Sequence, residues 1–401
     1  MDLKSGYPFW VVKNGLLREF PPLRDDVRCD VAIVGGGITG ALIADELTRH
    51  GHHVAVIEQR DIGWGSTAAS TALVQYEIDT HLVDLASRYG DADAALAYQA
   101  CADAVERLGA LAREVRDVGF HRQDSLYFAS KQRDVRALET ELRARMTHGL
   151  PTRWLDRGTL RERYGIAAPG ALLTNLAGVI DPYRMTHRLL ARVVRRGGIV
   201  CDRSVVDRVV PHARGVEVRA GDVTIRAKYA VLAAGYANER WLAQRVAKNR
   251  SSYAYVTDPI DQLGFLANTL VWETARPYLY MRTTPDHRLL VGGEDDAHDI
   301  PARRDARVDR KAETLRRRVV TMFPDLPLEP TFAWAGTFAE TKDGLPFFGA
   351  HPSLGNRVLF AMAYGGNGIT YSVIGAALIR AAIERQHHAL ASLFSFARLD
   401  R

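Results

Sequence analysis

Apolar positions along this chain follow two rhythms. In the first they come in short unbroken blocks, Val31-Ala32-Ile33-Val34 and Val54-Ala55-Val56-Ile57, separated by a helical stripe of Ile38, Ala41, Leu42 and Leu47 that Gly51 ends. Four apolar residues in a row, rich in β-branched side chains, make a strand buried on both faces, as in a parallel sheet. Two further blocks share this character. Ala230-Val231-Leu232-Ala233-Ala234 is closed by Gly235, and Val358-Leu359-Phe360-Ala361-Met362 runs into Tyr364-Gly365-Gly366-Asn367-Gly368-Ile369, after which an apolar helix begins near Thr370.

The second rhythm is alternation. Val216 and Val218 alternate with polar residues ahead of a Gly221-Asp222 hairpin turn. Tyr253–Val256, Tyr278–Arg282 and Arg288–Val291 read as antiparallel strands, with Tyr278, Tyr280 and Arg282 on one face and Leu279 and Met281 on the other. Long helices are predicted over 92–118, 131–147 and 305–322. In the last, Val308, Ala312, Leu315, Val319 and Met322 give one buried face, while Arg310, Arg316 and Arg317 form a solvated one. Another helix starts at Asp181-Pro182, with Asp as N-cap and Pro at its first position, and ends at Gly197-Gly198. Arg288 is expected to pair with Asp295 or Asp296.

The first block carries the candidate chemistry. It leads directly into Gly35-Gly36-Gly37-Ile38-Thr39-Gly40, a GxGxxG turn opening a helix, and the second block runs into Glu58. Gly35 allows the tight turn, Gly37 lets a pyrophosphate approach the backbone, and Gly40 lets helix and strand pack closely. The open N–H groups and dipole of the helix start favour phosphate charge. Glu58, about 20 positions on, suits a ribose diol and disfavours a 2′-phosphate, which argues against NADP. Strand, glycines, helix, strand and acid in this order within about 30 residues are what a dinucleotide site requires.

The fingerprint does not separate FAD from NAD, but the rest of the chain favours FAD. After Glu58 comes a small, hydroxyl-rich segment, Ile62 to Leu73, able to lie beside an extended cofactor. The second glycine-rich turn supplies another helix N-terminus, suited to negative charge on a reduced ring.

Composition narrows the classes. At 401 residues the chain is long for one hydrophobic core, so two domains or one large α/β unit are expected. The net charge of +6 is mild, and no basic run is interleaved with aromatics, which argues against nucleic acid. Cys29, Cys101 and Cys201 are scattered, so neither a disulfide framework nor a metal site is expected. No apolar run reaches roughly 18 residues, the length of a spanning helix. The first residues, Asp2 and Lys4 followed by Tyr7-Pro8-Phe9-Trp10, lack a signal peptide's apolar region, so a cytoplasmic enzyme is expected.

Seven segments together resemble one family: GGGITG, IGWGST, AGVIDPYR, VLAAGYAN, YLYMR with HRLLVGGED, WAGTFAETKDGLPFFG and YGGNGIT. The chain is similar to the D-amino-acid oxidase/glycine oxidase/sarcosine oxidase superfamily, nearest in character to gamma-glutamylputrescine oxidoreductase-like amine oxidases. The resemblance implies an α/β fold, with a glutathione-reductase-type FAD-binding Rossmann domain (27–90, 150–240 and 330–390). A second, substrate domain of mixed antiparallel sheet plus helices (91–149 and 241–329) would cap it.

It also implies site roles. Gly35, Gly37, Ile38, Thr39 and Gly40 would hold the pyrophosphate of a non-covalent FAD, and Glu58 with Gln59 the adenosine ribose. Ser66, Thr67, Thr71, Ala72 and Leu73 would follow the ribityl chain and ring. Val206 would meet adenine, with Ala234 and Gly235 in the same groove. Gly344 and the run Gly365, Gly366, Asn367, Gly368, Ile369 and Thr370 would close over the ring. Arg282, with Tyr278 and Tyr280, would hold the substrate, Arg282 through a carboxylate or all three as an aromatic-lined amine pocket; the alternative is a surface Arg with tyrosines packing a domain seam. Lys342 stands where relatives often carry Pro; it is either a surface residue or an aid to oxygen reduction.

The implied reaction is oxidation of a primary or secondary amine or amino acid to an imine by hydride transfer to flavin N5, with oxygen as acceptor and peroxide formed. The alternatives are a flavin dehydrogenase passing electrons to a quinone or protein, and a flavin-bound subunit acting in a complex.

Overall fold

The computed structural model describes residues 4–400; Asp2 of the N-terminal stretch lies outside them. Two sheets organise the chain. The smaller one has the order 347–350, 358–362, 223–232, 27–34, 54–57, 199–201, with the hairpin 208–212/215–220 attached to 223–232. Its centre is parallel: Val27–Val34 pairs in parallel with both Val54–Ile57 and Val223–Leu232, which also pairs in parallel with Val358–Met362. All four residues of Val31–Val34 and of Val54–Ile57 are buried, as their unbroken apolar runs predicted. The Gly221-Asp222 turn joins the antiparallel strands 215–220 and 223–232.

Helix Ile38–Arg49 follows the first strand at once. A Cβ on Gly40 would lie 2.0 Å from the Gly35 carbonyl oxygen, so the expected close helix–strand packing is present. The helix packs between Pro182–Arg195 and Gly368–Glu384. Pro182–Arg195 starts as predicted, with the Asp181 carboxylate accepting from Arg184 N at 2.9 Å. Gly368–Glu384 is buried along nearly its whole length, because helix Asp91–Val115 covers its other side.

The larger sheet has ten strands, ordered 4–5, 332–340, 248–259, 288–296, 279–283, 269–273, 121–128, 170–179, 73–75, with 153–156 on 170–179. The three strands read from alternation are its middle, with 288–296 antiparallel to its neighbours on both sides. Strands 73–75, 153–156, 170–179 and 332–340 hydrogen-bond here, although their ranges were expected in the FAD unit. Polar residues such as Thr174 and Asn175 interrupt the long strand 170–179, which blurs its pattern. The expected helices 92–118 and 131–147 are Asp91–Val115 and a 3₁₀ turn at Gln132–Asp134 leading into Val135–Thr147. Helix Val308–Met322 buries Ala312, Leu315 and Val319. No helix among the described residues is long and apolar enough to cross a membrane.

Candidate functional site

A groove lined by both sheets holds most of the candidate residues. At one end stands the glycine turn: Gly35, Gly37, Ile38 and Thr39 line it, with Glu58 and Gln59 beside them. Gly40 does not reach the groove; its role is the packing described above. Glu58 Oε2 accepts from Gly36 N at 2.8 Å and Oε1 from Arg60 N at 3.0 Å. Burial pushes its carboxyl upward, and these two bonds oppose the shift. Val206 borders the same end, its carbonyl oxygen taken by Arg240 Nη2 at 2.6 Å. Ala234 and Gly235 line the next stretch, held by Asn238, which accepts from Ala234 N and donates to the Leu232 and Ala361 carbonyls.

Ser66, Thr67, Thr71, Ala72 and Leu73 all line the middle. Thr67 differs from expectation in one respect: its Oγ1 accepts from Ile38 N at 2.9 Å, so it caps the helix start. Ala72 is left-handed, with φ +55°, and its N–H donates to Ser70 Oγ. The segment is anchored from behind by two indoles, as Trp10 Nε1 donates to Ser70 O at 2.7 Å and Trp334 Nε1 to Ala69 O at 2.9 Å.

Gly365, Gly366, Asn367, Gly368 and Ile369 border the far end. Three bonds tie this turn to the 75–79 segment: Gly366 N to Asp79 Oδ2, Asn367 Nδ2 to Glu77 O, and Thr370 Oγ1 to Gln75 O. Thr370 thus faces that segment rather than the groove. Gly344 also stands outside, its carbonyl accepting from the Tyr371 hydroxyl at 2.7 Å. Lys342 is exposed.

The wall of this end is one row of the larger sheet. Trp334, Ala254, Gly292, Tyr280 and Trp272 are Cα partners in turn across five strands, so all five share a face. Ala254 and Gly292 leave a trough between the aromatic groups. The Tyr280 ring lies over Gly292, where a Cβ would come within 2.4 Å of it. Trp272 stacks on Tyr127 with centroids 3.7 Å apart. Tyr278 and Tyr236 complete the wall. Burial pushes the Tyr278, Tyr280 and Tyr236 hydroxyls upward, Tyr280 to about 12, so all three stay protonated at neutral pH.

Arg282 is a different matter. It shares the Tyr280 face but stands two residues, roughly 7 Å, further along the strand, where helix Phe9–Asn14 covers the sheet. Its side chain is fully buried outside the groove, Nη2 donates to Ile180 O at 3.2 Å, and Nε and Nη1 have no hydrogen-bond partner. Burial lowers its pKa to about 9, and Asp181 and Asp286 partly offset this. Arg282 is thus kept away from the groove, where the expected carboxylate role would have needed it. Arg288 pairs with Asp286 and Asp258, not with Asp295 or Asp296, because the Asp296 carboxylate is engaged by Arg307, Lys311 and the Tyr253 hydroxyl.

Sequence reasoning missed Asp79, Trp272 and Ser252, which line the groove but lie in no motif. Tyr236, Trp334 and Tyr364 do lie within the quoted segments, where their position inside a motif was the available signal.

The groove suits an extended dinucleotide. Its glycine end offers bare backbone at a helix start, and the Ser66 hydroxyl is buried at its middle with no hydrogen-bond partner, as a donor awaiting a ligand would be. The model of the DAO family, FAD dependent oxidoreductase, matches residues 30–382. Glycine oxidase of Geobacillus kaustophilus is 27% identical over 379 residues, covering 90% of this chain and 94% of that protein. Gamma-glutamylputrescine oxidoreductase of Escherichia coli is 24% identical over 375 residues, covering 90% and 84%. The crystal structure of glycine oxidase from Geobacillus kaustophilus shares the fold, with a TM-score of 0.77 at 22% identity over 92% of this chain and 98% of that one. With its fingerprint, its groove and the family match over residues 30–382 in agreement, the chain belongs to the DAO family and is an FAD-dependent oxidoreductase.

Proposed function

We propose that the protein oxidises the C–N bond of a primary or secondary amine, or of an amino acid, to an imine, with dioxygen as acceptor. The observation that carries this reading is the protonated aromatic wall facing the far end of the dinucleotide groove. The two named relatives, a glycine oxidase and a gamma-glutamylputrescine oxidoreductase, support the choice of a C–N substrate.

FAD bound in the groove would supply the electron sink for a hydride from the substrate α-carbon. Gly35, Gly37, Ile38 and Thr39 would hold its pyrophosphate at the helix start. Glu58 and Gln59 would take the ribose, Val206 the adenine, and Ser66, Thr71, Ala72 and Leu73 the stretch towards the ring. The turn Gly365–Ile369 opens helix Gly368–Glu384, whose N-terminus favours negative charge there.

The wall orients the substrate and keeps water out. Trp272, Tyr278 and Tyr280 line the groove, and the two tyrosine hydroxyls, pushed upward by burial, stay protonated, so they can donate a hydrogen bond but cannot act as a base. The substrate nitrogen must therefore arrive neutral, so that its lone pair assists hydride departure. Water then hydrolyses the released imine.

Anaerobic mixing of the yellow protein with a panel of amines and amino acids tests the reading. Bleaching of the visible flavin band by at least one C–N substrate is expected, followed on aeration by one peroxide per turnover. A protein that no such compound bleaches overturns it. Bleaching without peroxide, with electrons passing readily to a quinone dye, would assign a dehydrogenase instead.

A further inference from the structure

The two ends of the groove differ in charge. Its arginines, Arg60 and Arg240, stand at the Glu58 end. At the sheet end the charged side chain lining it, among the described residues, is Asp79. One Asp79 oxygen accepts from Gly366 N at 2.9 Å. The nearby cations are otherwise placed: Arg282 is sealed beneath Trp10, Arg250 pairs with Glu340, and Arg276 is exposed outside the groove, over the Tyr278 ring.

A second carboxylate backs the wall. Asp295 stands beside Ser252, which lines the groove, and its Oδ1 is buried with no hydrogen-bond partner. Its carboxyl lies within electrostatic reach of both the Tyr278 and Tyr280 hydroxyls. In front of it, the rings of Tyr278 and Tyr280 have centroids 5.6 Å apart at 41°, with Trp272 as the direct cross-strand neighbour of Tyr280. Aromatic faces joined to carboxylates make a cation site. A substrate carboxylate here would meet Asp79 with no lining cation beside it.

We propose that the substrate is an amine bearing a second, protonated nitrogen, which sits against Trp272, Tyr278 and Tyr280 and is held by Asp79 with Asp295 behind. The assignment rests on the C–N oxidation reading and narrows its substrate class from amine or amino acid to diamine. The distal cation anchors the chain against the wall, and the neutral nitrogen at the other end is the one oxidised.

The test uses the FAD-loaded protein and compares cadaverine, pentylamine and δ-aminovalerate, matched in length and differing in the distal group, with glycine and sarcosine alongside. Rates of anaerobic flavin bleaching are read against concentration. Cadaverine should surpass pentylamine by about tenfold or more in apparent second-order rate, with δ-aminovalerate slowest of the three. Asp79→Asn should cut the cadaverine-to-pentylamine ratio by about tenfold, and Asp295→Asn should cut it less. Since Asp79 also holds the Gly366 turn, loss of FAD from that variant would leave Asp295→Asn and the unmodified series to decide. Equal rates for cadaverine and pentylamine, or faster bleaching by δ-aminovalerate, glycine or sarcosine than by cadaverine, would overturn the diamine assignment while leaving C–N oxidation standing. If neither these five nor any other amine or amino acid bleached the flavin, the underlying reading would fall, and this one with it.

Discussion

Arg282 lies beneath Trp10, its guanidinium carbon 4.8 Å from the centre of the indole ring. That contact separates the arginine from the substrate wall only two residues away. Arg282 has two nitrogens, Nε and Nη1, without a hydrogen-bond partner in a fully buried setting, so much of its charge is uncompensated. Arg282→Met should keep its FAD and change kcat/KM for the best substrate by less than about threefold, without lowering Tm by more than a few degrees. A carboxylate clamp would instead lose on the order of 30- to 1000-fold. Steady-state kinetics with a melting scan separate the two.

Gly37 faces the groove at the helix start, and a Cβ there would stand 2.9 Å from Thr67 Oγ1, the group that caps Ile38. Gly37→Val should therefore yield protein without flavin, read from the ratio of visible to ultraviolet absorbance. A variant recovered with a full complement of FAD would place the pyrophosphate elsewhere.

FAD should be held without a covalent bond. The stretch 59–76 contains neither Cys nor His, 336–350 contains no Cys, and none of Cys29, Cys101 or Cys201 borders the groove. His81 is the nearest histidine in sequence, and its Nε2 faces the Tyr127 hydroxyl at 3.3 Å. Acid precipitation should leave the yellow colour in the supernatant; colour retained in the pellet contradicts this.

Gly292 is the trough of the wall, and the Tyr280 ring occupies the space a side chain would need. Gly292→Ala should displace that ring at a cost of about 1–3 kcal/mol, an overpacking effect. FAD content should be unchanged while kcat/KM falls by roughly tenfold. Full activity would show that the ring does not position the substrate.

Burial pushes the Asp295 carboxyl up to about 7; Glu340 and Asp79 add to the shift, and Ser252 and Arg250 oppose it. The folded protein thus holds this proton more tightly than the unfolded chain, whose Asp titrates near ~4. This contribution to stability is fully present below the lower of these values and is lost as pH rises towards 7. Asp295→Asn abolishes the titration. The Tm of the FAD-loaded variant relative to the parent should therefore rise by a few degrees between pH 5 and pH 8. The same difference at both pH values would mean that the carboxylate is well hydrated.

The dinucleotide half was legible in the chain because its determinants are local. Val31–Val34, the Gly35–Gly40 turn, helix Ile38–Arg49 and Glu58 are close in sequence, and each part constrains the next through backbone geometry and steric contact. Asp181-Pro182 announced its helix for the same reason. Alternation also placed Tyr278 and Tyr280 opposite Leu279 and Met281, since a strand has period two whatever surrounds it. What covers each face is set by distant segments. The register of five strands brought Trp334, Ala254, Gly292, Tyr280 and Trp272 into one row. The N-terminal helix, through Trp10, took Arg282 out of the groove, and the 75–79 segment brought Asp79 in. Such placements depend on which surfaces pack together and exclude water, an interaction roughly proportional to area and blind to sequence separation, so only the folded chain decides them.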